Sequence, residues 1–326
     1  MMRVPGRRFV RRALRPLART LFPGAVVLGY HRVADASWDP LGLAVSPARF
    51  RSQVEGLKSL RKFVTLGELA AHHGAGERLD RYAVLTFDDG YADFAETVVP
   101  IAESLGVPAT IFIATGYIGK SFWWEDIAAL LDPGVRGPAT LELAWPDGAS
   151  RHYDGLGEAG TRAAAVAHIC DGLACRGCSE IGAVIAQLHV WAGAESVPPR
   201  PGIPMSHEQL LAIARHPLVE LGAHTVAHGC LGGLPPAAQR DEIERSKNDL
   251  LALAGSAVRV FSYPNGSYAR ETPGLVEALG FDCACTSQEA AFNSRGDRYR
   301  IPRIWARNAD GVEFQRWLGQ WVSACR

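Results

Sequence analysis

A chain of 326 residues that is 48% hydrophobic can bury one large core or two smaller ones. Its 34 Lys and Arg balance 34 Asp and Glu, which excludes the positive excess that draws a protein to nucleic acid or to acidic polymers. No stretch reaches the roughly 18 apolar residues of a membrane-spanning helix.

Arg3, Arg7, Arg8, Arg11, Arg12, Arg15 and Arg19 crowd the first twenty residues without one acidic neighbour. Such a segment either lies on an anionic membrane surface or is a solvated, frayed terminus. The following apolar run, Ala25-Val26-Val27-Leu28, falls short of the roughly 7 to 15 residues of a signal-peptide core and follows Pro23-Gly24. The expectation is a cytoplasmic protein, with peripheral membrane contact open to residues 1–20, and one catalytic-size domain over 21–326.

From residue 25 onward, β-like and helical patterns alternate. Strands are predicted at 25–30, 82–87 and 108–114, with helices starting at Ser46 and Tyr91; Ser46-Pro47 combines an N-cap serine with proline in the first turn. After a break come helix 206–216, strand 218–223, helix 235–254, strand 258–263, helix 272–279, strand 281–286, a strand near 300–304 and helix 312–322. Ile243, Leu250, Leu251 and Ala254 give the long helix one apolar face. Alternation of this kind builds a parallel sheet with crossover helices, and roughly seven β/α units suggest a barrel.

Between residues 119 and 202 the rhythm breaks, and this stretch reads as an insertion. At its entrance Phe122-Trp123-Trp124-Glu125 forms either an aromatic wall beside the site or a plug that anchors the insert. The sequence has seven cysteines. Cys175-Arg176-Gly177-Cys178 has redox or zinc spacing but no second pair to complete a structural zinc site, so free thiols are expected there. Cys283-Ala284-Cys285 reads as core strand.

Chemistry concentrates at strand ends. Leu85-Thr86-Phe87-Asp88-Asp89-Gly90 sets two adjacent carboxylates where an apolar strand stops and a glycine turns the chain. Neighbouring carboxylates repel, and a bound cation compensates them. The alternative is a helix N-cap and its neighbour. His224-Thr225-Val226-Ala227-His228 follows another apolar strand, and its i,i+4 imidazoles can reach one ion. Two imidazoles and one carboxylate leave positions open for water and substrate, and the second carboxylate is then free to act as a base.

Thr86-Phe87-Asp88-Asp89-Gly90 followed by His224-Thr225-Val226-Ala227-His228 resembles the polysaccharide deacetylase (NodB-homology) family, carbohydrate esterase family 4. The resemblance implies a distorted (β/α)7 barrel, with Asp88 as general base and Asp89, His224 and His228 holding a divalent metal, zinc or another first-row ion. Phe261-Ser262-Tyr263-Pro264-Asn265-Gly266 is similar to a later family motif and makes the Tyr263 N–H the expected oxyanion donor. The family's Leu-x-His motif is absent, since no histidine follows His228. Leu28-Gly29-Tyr30-His31-Arg32-Val33 instead resembles the N-terminal motif of a circularly permuted branch that includes poly-N-acetylglucosamine deacetylases, which makes His31 the expected general acid. Arg303, in Arg300-Ile301-Pro302-Arg303-Ile304, resembles a late motif whose arginine orients the base through a bidentate pair, or else closes the barrel elsewhere. The implied reaction removes N-acetyl groups from an amino sugar in a glycan or glycan precursor, free or lipid-linked. O-acetyl or formyl hydrolysis, and an inactive carbohydrate-binding barrel, are the alternatives.

Overall fold

The computed structural model describes residues 24–193, 200–255 and 257–323; the basic segment 1–20, with its expected membrane contact, lies outside them. Eight parallel strands form the main sheet: β1 (Val26–Tyr30), β2 (Lys62–Phe63), β3 (Tyr82–Phe87), β4 (Ala109–Ile113), β5 (Val219–Ala223), β6 (Val260–Ser262), β7 (Cys283–Cys285) and β8 (Ile304–Trp305). Every residue of β1, β3 and β4 is buried, as expected of continuous apolar runs covered on both faces. Seven strands follow the order β7-β6-β5-β4-β3-β1-β8, and β2 joins beside β3. β3 shares its ladder along its length, pairing with β2 at Tyr82 and Ala83 and with β4 at Thr86 and Phe87.

The sheet curls, and residues 301–305 bridge its two edges. Ile304 pairs with Leu28 of β1, while Ile301 N–H donates to Ala284 O at 2.8 Å and Thr286 N–H donates to Ile301 O at 2.9 Å beside β7. This is the curled parallel α/β barrel architecture that the alternation predicts. Along β1, Val26 and Leu28 enter one apolar cluster and Val27 enters another, because successive side chains leave opposite faces of a strand.

The α-helices of the described residues are α1 (Pro47–Lys58), α2 (Leu66–Gly74), α3 (Val99–Leu105), α4 (Trp123–Leu130), α5 (Ala159–Leu173), α6 (Cys178–Ala192), α7 (His207–Ala214), α8 (Pro236–Ala254), α9 (Thr272–Ala278) and α10 (Gly311–Ser323). None is long and apolar enough to cross a membrane. Ser46 caps α1 as expected. The helix expected from Tyr91 instead passes through a π-helical turn, Phe94–Val98, before α3. Pro100 offers no N–H to the preceding turn, so an ordinary α-ladder cannot run through it.

Helices α4, α5 and α6, with an antiparallel hairpin of Leu141–Ala144 and Ser150–Tyr153, pack a separate apolar cluster that includes Phe122, Leu143, Ile169 and Val184. Phe122 and Trp124 are buried in it, so the aromatic motif does act as a plug. The expectation of free thiols fails at Cys175, which is joined to Cys230, 55 residues away in sequence. Close spacing in the sequence points to Cys178, but the partner arrives on the loop after β5. Cys178 is free, and Cys283 and Cys285 are free and buried in β7, as expected.

Closing so long a loop constrains the unfolded chain by about 4 kcal/mol in the chain-entropy model. Alkylation without reductant should leave Cys175 and Cys230 unlabelled, and the C175S/C230S variant should lose about 2–4 kcal/mol in urea melts. Labelling of both thiols in the native, unreduced protein would contradict the pairing.

Candidate active site

The C-terminal edge of the sheet carries the candidate residues. Asp88 and Asp89 follow β3 at once, and Gly90, at φ 97°, turns the chain away. His224 follows β5, and Ser262 ends β6. Asp89, Thr225 and His228 hold left-handed backbone, at φ 74°, 61° and 55°. Each such non-glycine residue costs of order 1–3 kcal/mol and persists where surrounding bonds impose it.

Those bonds are present. Ala114 N–H donates to Asp89 O, Thr115 N–H to Thr225 O and Gly116 N–H to Val226 O. The Glu242 carboxylate accepts the Val226 and Ala227 N–H groups, both at 2.9 Å. Thr225 Oγ1 accepts the His228 N–H at 3.0 Å. The loop is therefore held by α8 on one side and by the β4 loop on the other.

Asp89 Oδ1 lies 3.5 Å from His224 Nε2 and 3.2 Å from His228 Nε2. One donor atom from each of the three residues lies within 4.8 Å of the others. Asp89 Oδ1 is buried without a hydrogen-bond partner among the described residues, a cost that a cation would remove. His224 Nδ1 faces the Ser262 carbonyl at 2.8 Å; a carbonyl only accepts, so Nδ1 carries the proton and Nε2 keeps a lone pair for the cluster. The donor set fits a divalent ion and leaves coordination positions open.

Asp88 is bound differently. Arg303 Nη1 donates to its Oδ1 at 2.6 Å and Arg303 Nη2 to its Oδ2 at 2.7 Å. The guanidinium is fully buried. Its remaining hydrogens reach Thr286 O at 3.1 Å and Ser262 Oγ at 3.0 Å, and it lies over the Trp305 ring, 4.6 Å from the centroid. The bidentate pair considered from the sequence is thus formed.

Burial pushes the Asp88 carboxyl upward, but Arg303 and His224 outweigh it and hold the group below the ordinary carboxylate range. Burial acts likewise on Asp89, and His228 and His224 hold it well below that range. Burial pulls His224 down, yet Asp88 and Asp89 raise it overall. His31 moves the other way: burial lowers it against the pull of Asp89 and Asp88. It stacks on Trp305 at 4.7 Å and 10°. A Cβ on Gly29 would come within 2.9 Å of that indole, so glycine makes room for the ring that carries His31.

The Tyr263 expectation needs correction. Its N–H donates to Cys285 O at 3.1 Å, directly past the end of the β6–β7 pairing, and its hydroxyl donates to Tyr299 O at 3.0 Å. The motif marks the strand end, but the Cys285 carbonyl occupies that amide. Ser262, Glu242 and Trp305 went unread because their roles rest on partners distant in sequence. Trp124 also belongs here, since its ring centroid lies 4.9 Å from that of His228. The plug therefore reaches the site through this one ring contact.

Removing Arg303 strands a buried carboxylate. Arg303→Ala should lower stability by about 3–5 kcal/mol in denaturant melts, and Arg303→Lys, with no planar fork, should recover only part of it. A loss below about 1 kcal/mol for alanine would mean that the pair does not hold the site.

Comparison with known proteins adds a family. The polysaccharide deacetylase family model matches residues 75–139 and 162–284, more than half of the chain. A poly-beta-1,6-N-acetyl-D-glucosamine N-deacetylase of Staphylococcus aureus is 33% identical over 109 residues, covering 29% of this chain and 38% of that relative's length. Among solved structures, IcaB from Ammonifex degensii shares the fold with a TM-score of 0.59 at 18% identity, covering 92% of this chain and 97% of that one. Streptococcus pyogenes deacetylase PplD, in complex with acetate, aligns with a TM-score of 0.57 at 15% identity, over 90% of this chain and 96% of its own. With the family model spanning both strand-end motifs and the aspartate and histidines gathered at one sheet edge, the chain belongs to the polysaccharide deacetylase family.

Proposed function

We propose that this protein is a metal-dependent carbohydrate deacetylase that hydrolyses N-acetyl groups on a glycan, with β-1,6-linked N-acetylglucosamine as the substrate class to test first. The observation that carries the reading is the division of labour between adjacent carboxylates. Asp88 is gripped by Arg303 and Asp89 faces two imidazoles. Asp89, His224 and His228 would hold the ion, for which zinc suits a His₂Asp set. When bound, it supplies Lewis acidity to the acetamide carbonyl and makes water more acidic.

The protein's own groups do the rest. Arg303 keeps Asp88 ionised and fixed in direction, and a carboxylate that accepts two hydrogens from Arg303 and one from Ser262 Oγ still has a lone pair to take a proton from attacking water. His31, stacked on Trp305 beside the two carboxylates, is the candidate acid that returns a proton to the departing amine. The N-terminal Tyr30-His31 motif, like that of the permuted branch, supports this assignment. Trp124 packs its buried indole against His228 and so backs the cluster from the side of α4. The support from the named relative is the shared segment of 109 residues, together with the family motifs.

Acetate release from an N-acetylated β-1,6-glucosamine oligomer should stop with a chelator and return with added zinc. Asp88→Ala should lower kcat by about 10²–10⁴-fold while the protein still binds metal, and Asp89→Ala should lose the metal. Chelator-insensitive turnover, or metal loss in Asp88→Ala alone, would contradict the proposal.

A further inference from the structure

Among the described residues of 119–202, one buried carboxylate is not used by the chemistry above. Glu125, on α4, is 3% exposed. Its Oε1 accepts the Tyr91 hydroxyl at 2.8 Å and its Oε2 accepts the Gly202 N–H at 3.0 Å. Tyr91 oxygen in turn accepts the Trp124 Nε1–H at 2.7 Å. Arg32 Nη1 lies 4.0 Å from Oε1, while Arg32 Nε is paired with Asp93 at 3.0 Å, so two acids share one guanidinium. Tyr91 follows Gly90 of the aspartate turn and Arg32 follows His31. One side chain thus joins α4, Gly202 and two loops of the site.

The direction of this chain is fixed by chemistry. An ionised carboxylate has no hydrogen to give, so Tyr91 must donate to Glu125, which leaves the Tyr91 oxygen free to receive the indole N–H. Reversing one bond breaks the order. A group at position 125 that donated to Tyr91 would compete with Trp124 and leave the Tyr91 proton without an acceptor.

We propose that Glu125 is a positioning residue for the metal centre: by fixing the direction of the Trp124–Tyr91–Glu125 hydrogen-bond chain it seats the Trp124 indole against His228. The inference rests on the metal-site reading above. Neither Glu125 nor the Tyr91 hydroxyl reaches His228; the indole is the contact. Residues 119–202 then act on the reaction through that contact as well as through any surface they offer to substrate.

The carboxylate is held at a cost. Burial, opposed by Arg32, pushes Glu125 up to about 7. A carboxyl raised in the folded state favours folding while protonated. That contribution fades as pH rises from the ordinary carboxylate range towards 7 and is gone above it. At pH 8 the ionised network therefore lowers stability. Glu125→Gln removes the charge and can still accept from Gly202 with its carbonyl, but its amide donates towards Tyr91 and reverses the chain. A residue kept for stability should lose stability when replaced; a positioning residue should lose site geometry instead.

Cobalt(II) provides the readout, because its visible absorption reports the arrangement of its ligands without turnover. Wild type, Glu125→Gln and Tyr91→Phe would be titrated with cobalt at pH 8 and melted metal-free, and acetate release would be measured separately. Both variants should shift the cobalt spectrum in the same sense and weaken binding by about ten- to a hundredfold. Glu125→Gln should melt within about 2 °C of wild type or above it. A wild-type spectrum and affinity in Glu125→Gln would overturn the inference, as would a fall in melting temperature with cobalt binding restored on cooling. If wild type binds cobalt yet releases no acetate, the deacetylase reading fails while the positioning result stands.

Discussion

Two carboxylates on consecutive residues, both almost completely buried, are the constraint that organises this molecule. Asp88 and Asp89 cannot share one environment, because each ionised group raises the cost of the other in a medium of low polarity. The fold separates them by the left-handed turn at Asp89 and gives each its own partner. Asp88 receives a planar guanidinium from the segment that bridges the sheet edges; Asp89 receives two imidazoles from the loop after β5. The same arrangement closes the curled sheet and sets one carboxylate beside three candidate metal ligands.

Arg303 shows how tightly structure and site are joined. It precedes β8, whose neighbour Ile301 bridges to β7, so the residue that grips Asp88 sits on the strand segment that links the sheet edges. Ser262 has a comparable double position. Its carbonyl sets the His224 tautomer and its hydroxyl accepts from Arg303, so a single residue at the end of β6 touches both halves of the site. Strain at Thr225 and His228 is borne by hydrogen bonds that the Val226 and Ala227 N–H groups between them donate to Glu242, on α8, and by those the loop accepts from the β4 loop. Precision at the metal cluster therefore depends on packing well behind it.

Much of this was legible in the sequence because the informative residues are local. Apolar runs ending in Asp88-Asp89-Gly90 and in His224 mark strand ends, and strand ends of a parallel sheet share one edge whatever the details of closure. What could not be read depends on distant partners. The π-helical turn before Pro100, the link from Cys175 to Cys230 and the occupation of the Tyr263 amide by Cys285 arise from neighbours that no local pattern reveals. Phe122-Trp123-Trp124-Glu125 was ambiguous for the same reason. Both Phe122 and Trp124 fill the second apolar cluster, and Trp124 also meets His228 at the cluster's edge.

The central claim is that one ion sits among Asp89, His224 and His228 while Asp88 stays with Arg303. Anomalous diffraction at the zinc edge from crystals grown with zinc tests it most directly. The account expects one peak about 2.0–2.2 Å from an Asp89 oxygen and from Nε2 of both histidines, with the Asp88–Arg303 fork unchanged. A peak ligated by Asp88 with its guanidinium partner displaced, or no peak at this cluster, would contradict it.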